Sequence, residues 1–199
     1  NTGYDNTYPL EDADFESLSK QLTLNLRSKT TFSPTQSLMI ATRYNKSNRD
    51  IRSSYPVTYR AEAYNLDAFY SDYSSGNLSY LLGLYMQRQQ TNFDQLAQSN
   101  SIEPYLNSTL NLSESLSLNS GVRFISHSNY GNDWVYNLGS SYTTNILGMS
   151  TKLFAEWGSA FIAPSLSQLF GPFGPNPDLQ PETNRTASIG MELLKNNTA

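Results

Sequence analysis

The sequence predicts an all-β fold of about nine antiparallel strands. Apolar and polar residues alternate with a period of two along most of the chain, which is typical of strands with two different faces. Longer and shorter polar segments alternate between these strands. Only 15% of the 199 residues are charged, whereas 13% are aromatic, including 14 tyrosines. Such a chain is ordered, because disordered chains combine high net charge with few aromatic residues.

The alternation locates each strand in turn. Leu38, Ile40 and Tyr44 share one face of the second strand, and Leu82 and Met86 share one face of the fourth. The same pattern recurs around residues 106, 118 and 136, whereas no comparable helical period is present. The predicted strands are 17–32, 37–45, 61–70, 78–89, 101–112, 116–125, 134–143, 151–161 and 185–193, with longer connections at 46–60, 90–100, 126–133 and 162–184.

Connections that alternate in length favour an antiparallel transmembrane β-barrel segment. Such barrels have short turns at one end and longer loops at the other, with strands of about 9–11 residues. A water-soluble β-sandwich also alternates apolar and polar residues. However, the polar face here is rich in Ser, Asn, Thr and Gly, which suits a hydrated lumen more than a surface solubilised by Lys and Glu.

Composition excludes several functional classes. The chain has no Cys, one His (His127) and a net charge of −4. Thiolate zinc sites and cysteine nucleophiles are therefore absent, and clustered basic residues typical of nucleic-acid binding are missing. His127 lies between two serines but no Gly-x-Ser-x-Gly motif accompanies it, so the chain is not predicted to be an enzyme.

The strongest local motif lies in the longest connection. It contains Phe161-Ile162-Ala163-Pro164 and then Gly174-Pro175-Asn176-Pro177-Asp178-Leu179-Gln180-Pro181-Glu182. This order closely resembles the TonB-dependent outer-membrane transporters, in which an aromatic and Ala-Pro lead to Gly-Asn-Pro-Asp-Leu-x-Pro-Glu; here the first step reads Gly-Pro-Asn-Pro. Each proline fixes φ and removes a donor, so the loop is stiff. A rigid structural loop without ligand contact is the simpler interpretation of its role.

The resemblance implies a function and a location. The resemblance implies that residues 1–199 form part of the 22-stranded barrel domain of such a receptor, with the plug domain and the remaining strands absent. The parent protein would lie in the outer membrane of a Gram-negative bacterium, in contact with its lipid. It would bind a scarce small-molecule ligand and import it with TonB-coupled energy relayed through the plug. Nucleic acid is not an expected partner.

Alternatives remain at two levels. Within the family, the ligand could be cobalamin-like, an iron chelate or haem. Outside it, the chain could be a passive porin, or a secreted or periplasmic β-sandwich that binds carbohydrate or a similar ligand.

The N-terminal segment resembles the cobalamin transporter group. The matching residues are Gly3-Tyr4-Asp5, then Asp14-x-x-x-Leu18-x-x-Gln21, and Leu26-Arg27. In that group a Tyr-Asp pair and a later Asp contribute to calcium sites, which implies Tyr4, Asp5 and Asp14 as calcium ligands here. Glu11, Asp12, Asp14 and Glu16 also place four carboxylates in six residues, whose repulsion a hard cation would relieve. A solvated acidic loop is the alternative.

Some residues of the predicted strands have expected positions. Arg43, Arg88 and Arg123 are predicted on polar faces, where they could form ion pairs in the lumen. Four tyrosines near strand ends could belong to an aromatic girdle at the membrane interface, or could be ordinary strand formers. They are Tyr44, Tyr64, Tyr70 and Tyr142.

Overall fold

The computed structural model describes residues 16–93, 97–146, 148–171 and 174–195. Within these ranges, nine strands and one short helix follow one another along the chain. They are β1 (Glu16–Ser33), β2 (Gln36–Arg52), β3 (Val57–Asp72), β4 (Leu78–Thr91), β5 (Ala97–Asn111), β6 (Leu116–His127), β7 (Gly131–Ile146), β8 (Met149–Ile162), α1 (Leu166–Phe170) and β9 (Glu182–Lys195).

The nine strands form a single antiparallel sheet in chain order, so each strand pairs with the next along the chain. This confirms the predicted all-β meander. A β-sandwich requires two packed sheets, and the described residues form one. The sandwich alternative is therefore wrong.

The strand register joins the apolar positions of successive strands into one surface. Leu82 lies opposite Leu106, Leu106 opposite Val122, and Val122 opposite Tyr136. Residues directly opposite each other in an antiparallel pair point to the same side. This side of the sheet is called the apolar face, and the other the polar face. Leu82 is 56% exposed on the apolar face, which suits contact with lipid rather than water.

The strands are longer than the alternation of apolar residues predicts. Most of the segment 46–60 is strand, because β2 ends at Arg52 and β3 begins at Val57. The predicted loops at 90–100 and 126–133 are shortened in the same way. Polar residues occupy both faces there, so hydrophobic periodicity vanishes although the backbone stays paired. Only the connection at 163–181 remains long.

Aromatic side chains border the aliphatic part of the apolar face. The rings of Tyr44 and Tyr64 lie 4.8 Å apart at the midpoints of β2 and β3. Tyr70 lies between Phe32 and Tyr80 at the end of the sheet away from the long connection, with ring centroids 6.4 Å and 6.2 Å away. On β3 these belts are separated by about 20 Å along the strand. Over that length a strand tilted by about 40° rises only about 15 Å, which is less than the apolar band of about 25 Å in such barrels. The membrane-spanning segments therefore extend past the Tyr44–Tyr64 pair towards the long connection, and the aromatic girdle stays a prediction.

No helix of the described residues has the length and apolar character needed to cross a membrane.

Candidate functional site

The connection between β8 and β9 crosses the polar face of the sheet. Its helix α1 lies against β4 and β5, which are four and three strands away from β8, respectively, in the sheet order. In a flat sheet β4 would lie about 19 Å from β8, because neighbouring strands are about 4.8 Å apart. The sheet is therefore curved, with the polar face on its concave side.

A small buried cluster forms where α1 meets this face. Leu166 and Leu169 of α1 are only 4% and 3% exposed. Three residues at the same end of the polar face, Thr91, Ser101 and Ile125, are buried as well. The helix α1 therefore covers one open end of the concave surface, which is called the covered mouth.

A capping box begins α1. The Ser165 hydroxyl accepts a hydrogen bond from the Gln168 backbone N–H at 3.3 Å, and the Ser165 N–H donates to Gln168 Oε1 at 2.9 Å. Such a box satisfies two backbone donors that a helix start would leave unpaired. Hydrophobic periodicity does not predict this helix, although the spacing Ser-x-x-Gln is a signal for its start.

The proline-rich part of the connection is held by hydrogen bonds of its own. The Asn176 N–H donates to the Gln168 carbonyl at 2.9 Å, and the Asp178 N–H donates to Asn176 Oδ1 at 3.0 Å. Tyr130, in the turn between β6 and β7, donates its hydroxyl to the Leu179 carbonyl at 3.2 Å. These contacts fix the connection to a neighbouring hairpin, as a rigid structural loop requires.

The centre of the polar face carries a hydrogen-bonded network that includes one ion pair. Tyr105 donates its hydroxyl to Asp67 Oδ1 at 2.8 Å, and the guanidinium of Arg123 lies 5.2 Å from the Tyr105 ring centroid. Arg123 also pairs with Glu103 at 3.1 Å, and Glu103 accepts a hydrogen bond from Ser101 at 2.8 Å. The predicted ion pair of Arg123 on the polar face is confirmed.

Uncharged groups extend this network towards β1. The Tyr85 hydroxyl and the Gln87 amide both donate to Asn65 Oδ1 at 2.9 Å. Arg43 donates to Asn25 Oδ1 at 2.8 Å. They line an open groove of about 750 Å³. The hydrogen-bond donors and acceptors that line this groove suit water, a polar ligand or the polar surface of another protein domain.

Two arginines behave differently from Arg123. Arg43 lies on the polar face, as predicted, but bonds to an amide instead of a carboxylate. The prediction for Arg88 is wrong: it lies opposite Tyr64 and therefore on the apolar face. The strand register decides this, because residues 86 and 88 must share a side.

His127 occupies the last position of β6, beyond the membrane-spanning segment. Its Nδ1 accepts a hydrogen bond from the Asn129 N–H at 3.2 Å, and its ring lies 5.1 Å from that of Tyr130. Burial lowers the pKa of His127, and the carboxylate of Glu103 partly opposes this shift. His127 therefore packs against the turn between β6 and β7.

The proposed calcium ligands Tyr4, Asp5 and Asp14 lie outside the described residues, so calcium binding stays a prediction. Glu16, the nearest described carboxylate, forms an exposed ion pair with Arg52 at 3.0 Å. Among the described residues, no group of three or more His, Cys, Asp or Glu side chains is placed to hold a metal ion.

Comparison with known proteins gives matches to one family and to its fold. The family model described as TonB dependent receptor-like, beta-barrel, matches residues 1–199. Among solved structures, the siderophore receptor PirA from Pseudomonas aeruginosa is similar over 90% of this chain, with a TM-score of 0.78 and 18% identity. The copper transporter OprC is similar over 92%, with a TM-score of 0.67 and 14% identity. The chain spans 36% and 38% of the lengths of those two proteins.

Proposed function

Because this chain belongs to the TonB-dependent receptor-like β-barrel family, we propose that it is part of an outer-membrane active transporter. The whole receptor binds a scarce extracellular ligand and imports it with energy that TonB supplies through a plug domain. Residues 1–199 contribute barrel strands, and the ligand undergoes no covalent chemistry. The observation that carries the proposal is the covered mouth, where α1 lies across β4 and β5 on the concave polar face. A polar, partly closed lumen suits gated import.

The ligand is proposed to be cobalamin-like, with an iron chelate as the alternative. The likeness of Gly3-Tyr4-Asp5 and Asp14 to the cobalamin group supports the first. The name of the siderophore receptor PirA supports the second, and the name of OprC adds copper as a third ligand to test.

Uptake by cells that produce the full-length receptor tests this function. Radiolabelled cyanocobalamin, a ferric siderophore and Cu²⁺ would each be supplied at nanomolar concentration, with and without a protonophore. We expect one of the three to accumulate, and accumulation to stop when the proton gradient is dissipated or TonB is deleted. Accumulation that ignores both treatments would overturn the proposal in favour of a passive porin.

We also propose that Tyr4, Asp5 and Asp14, in the segment before β1, bind calcium. Calorimetric titration of the full-length receptor in detergent should show saturable binding that Asp5→Ala and Asp14→Ala each weaken. Asp50→Ala is the matched control, because Asp50 accepts a hydrogen bond from Thr58 at 2.9 Å within a hairpin. Binding that is equally strong in all three variants would contradict the site.

A further inference from the structure

A pocket lies beneath α1 at the covered mouth, between the helix and the polar face of β1 to β4. Its volume is about 420 Å³, within the usual range for ligand sites. Leu166 of the helix and Thr91 of β4 both line the pocket, and they are only 4% and 7% exposed. The pocket therefore adjoins the buried cluster of the covered mouth, on the side towards β1.

The strand register arranges the wall of this pocket in two rows across the polar face. The first row is Gln21, Ser47, Ala61 and Thr91, and the second row is Thr23, Asn45, Ala63 and Gln89. Each residue lies directly opposite the next one in its row, so neighbouring Cβ atoms are about 5 Å apart. Amide and hydroxyl groups from β1, β2 and β4 therefore surround the two alanines of β3, whose small side chains leave room for a ligand.

Neither row contains a charged residue. The charged residues of the lining, Lys46 and Glu62, lie opposite each other on the apolar face and form an ion pair at 2.9 Å. Arg43 and Arg49 stand one position outside the rows on the polar face, and the Nε of each donates to a neutral acceptor on β1. The wall of the pocket thus offers uncharged donors and acceptors.

The pocket also has an oriented amide and an apolar side. Asn45 Oδ1 accepts a hydrogen bond from the Thr23 hydroxyl at 3.0 Å, which leaves the Asn45 amide N–H groups to donate. Phe93 lines the pocket as well, and its ring lies 5.6 Å from that of Tyr59. Phe93 and Leu166 therefore supply an apolar surface beside the polar rows.

We propose that this pocket binds a neutral, carboxamide-bearing part of the transported ligand. A carboxamide has both donors and acceptors, so it bonds to the amides of Asn45 and Gln89 while its carbon skeleton packs on Phe93. A carboxylate or another anionic group would lose water there without gaining a counter-ion in either row. The inference rests on the proposed transport function, and it favours a cobalamin-like ligand over an anionic iron chelate.

Ligand binding to the full-length receptor in nonionic detergent tests the proposal by calorimetry. The three probes are cyanocobalamin, which is uncharged and carries carboxamides, its derivative with the carboxamides hydrolysed to carboxylates, and the anionic catecholate chelate ferric enterobactin. We expect cyanocobalamin to bind about tenfold or more tightly than either anionic probe. Its affinity should fall about tenfold or more in Gln89→Leu, which removes an amide, and in Ala63→Leu, which fills the pocket.

Ala68→Leu and Gln98→Leu are the matched controls. Ala68 lies on the same strand as Ala63 but on the apolar face, opposite Leu84. Gln98 also lies on the apolar face, opposite Gln90. Both controls should keep the affinity of the wild type for cyanocobalamin.

The outcomes separate this inference from the transport function. Failure of cyanocobalamin to bind, tighter binding of either anionic probe, or wild-type affinity in Gln89→Leu and Ala63→Leu would overturn the pocket. So would equal losses in Ala63→Leu and Ala68→Leu. In each of these cases, TonB-dependent uptake of another ligand would still support transport. Uptake that does not need TonB would overturn the transport function, whereas binding in detergent would still measure the specificity of the pocket.

Discussion

The ring of Tyr105 lies across Gly83 on the neighbouring strand. A Cβ atom at Gly83 would overlap the end of the Tyr105 ring, so the ring would have to shift. The glycine therefore makes room for the ring, and this position brings the Tyr105 hydroxyl to Asp67 at 2.8 Å. A missing side chain on β4 thus sets the geometry of the network on the polar face.

Gly83→Ala should destabilise the barrel by about 1–3 kcal/mol, because the ring must move or the strands must part. Urea unfolding of the full-length receptor in detergent micelles, followed by tyrosine fluorescence, measures the change. Gly76→Ala in the turn between β3 and β4 is the control, since an added Cβ meets nothing there within 4 Å. Equal stability of the two variants would contradict the packing described here.

Tyr105→Phe should keep the ring over Gly83 and remove only the hydrogen bond to Asp67. The carboxylate then loses the one hydrogen bond from another side chain that the described residues provide, which costs about 1–3 kcal/mol. The same unfolding assay applies, with Tyr142→Phe on the apolar face as the control. If Tyr105→Phe lowers the free energy of unfolding no more than Tyr142→Phe does, water replaces the hydrogen bond that the Tyr105 hydroxyl donates to Asp67.

Stability should fall in acid through Asp72, which lies beyond the Tyr70 belt. Hydrogen bonds from Ser74, and then from Gln36, hold the pKa of the Asp72 carboxyl well below its usual range. A carboxyl with a depressed folded-state pKa stabilises the fold above its unfolded pKa of about 3.9, and this contribution is lost as the pH falls.

Thermal unfolding between pH 2.5 and 6 measures this effect. Asp72→Asn should flatten the acid limb of the stability profile, because the variant has no carboxyl to protonate. Glu114→Gln, in the turn between β5 and β6, should keep the wild-type profile. An unchanged acid limb in Asp72→Asn would refute the assignment.

Ser165→Ala should loosen the cover over the mouth. The variant removes the hydroxyl of the capping box, which is worth about 1 kcal/mol to a helix start. Hydrogen exchange in the 163–181 connection should become faster, while exchange in β4 and β5 stays slow. Ser167→Ala is the control, because it removes the hydroxyl of a nearby residue of α1 that takes no part in the capping box. An equal increase in the hydrogen-exchange rate in Ser165→Ala and Ser167→Ala would contradict the stabilising role of the capping box.

Sequence periodicity predicted the strands well where they are amphipathic. Spacing alone predicts Leu82 and Met86 on one face of β4, and the register joins Leu82 to Leu106 and Leu106 to Val122. Periodicity fails where a strand loses its apolar face. Residues 46–50 of β2 are polar on both sides, so hydrophobic alternation does not distinguish them from a loop.

The candidate site was only partly visible from sequence. Arg123 was placed in a polar ion pair, but its partner Glu103 lies 20 residues away on the neighbouring strand and depends on register. Arg88 was misplaced because its charge was given more weight than the two-residue period. The proline motif indicated the family, yet nothing local revealed that α1 reaches β4 and β5.

By itself the sequence determined what depends on neighbouring residues: the β class, the number of strands and the stiff proline connection. These follow from side-chain alternation and from the fixed φ of proline. Only the tertiary structure decided which residues share a surface. The pocket beneath α1, the network around Tyr105 and the covered mouth each join residues from three or more strands. Such contacts depend on register and curvature, which are set by the pairing of the whole sheet.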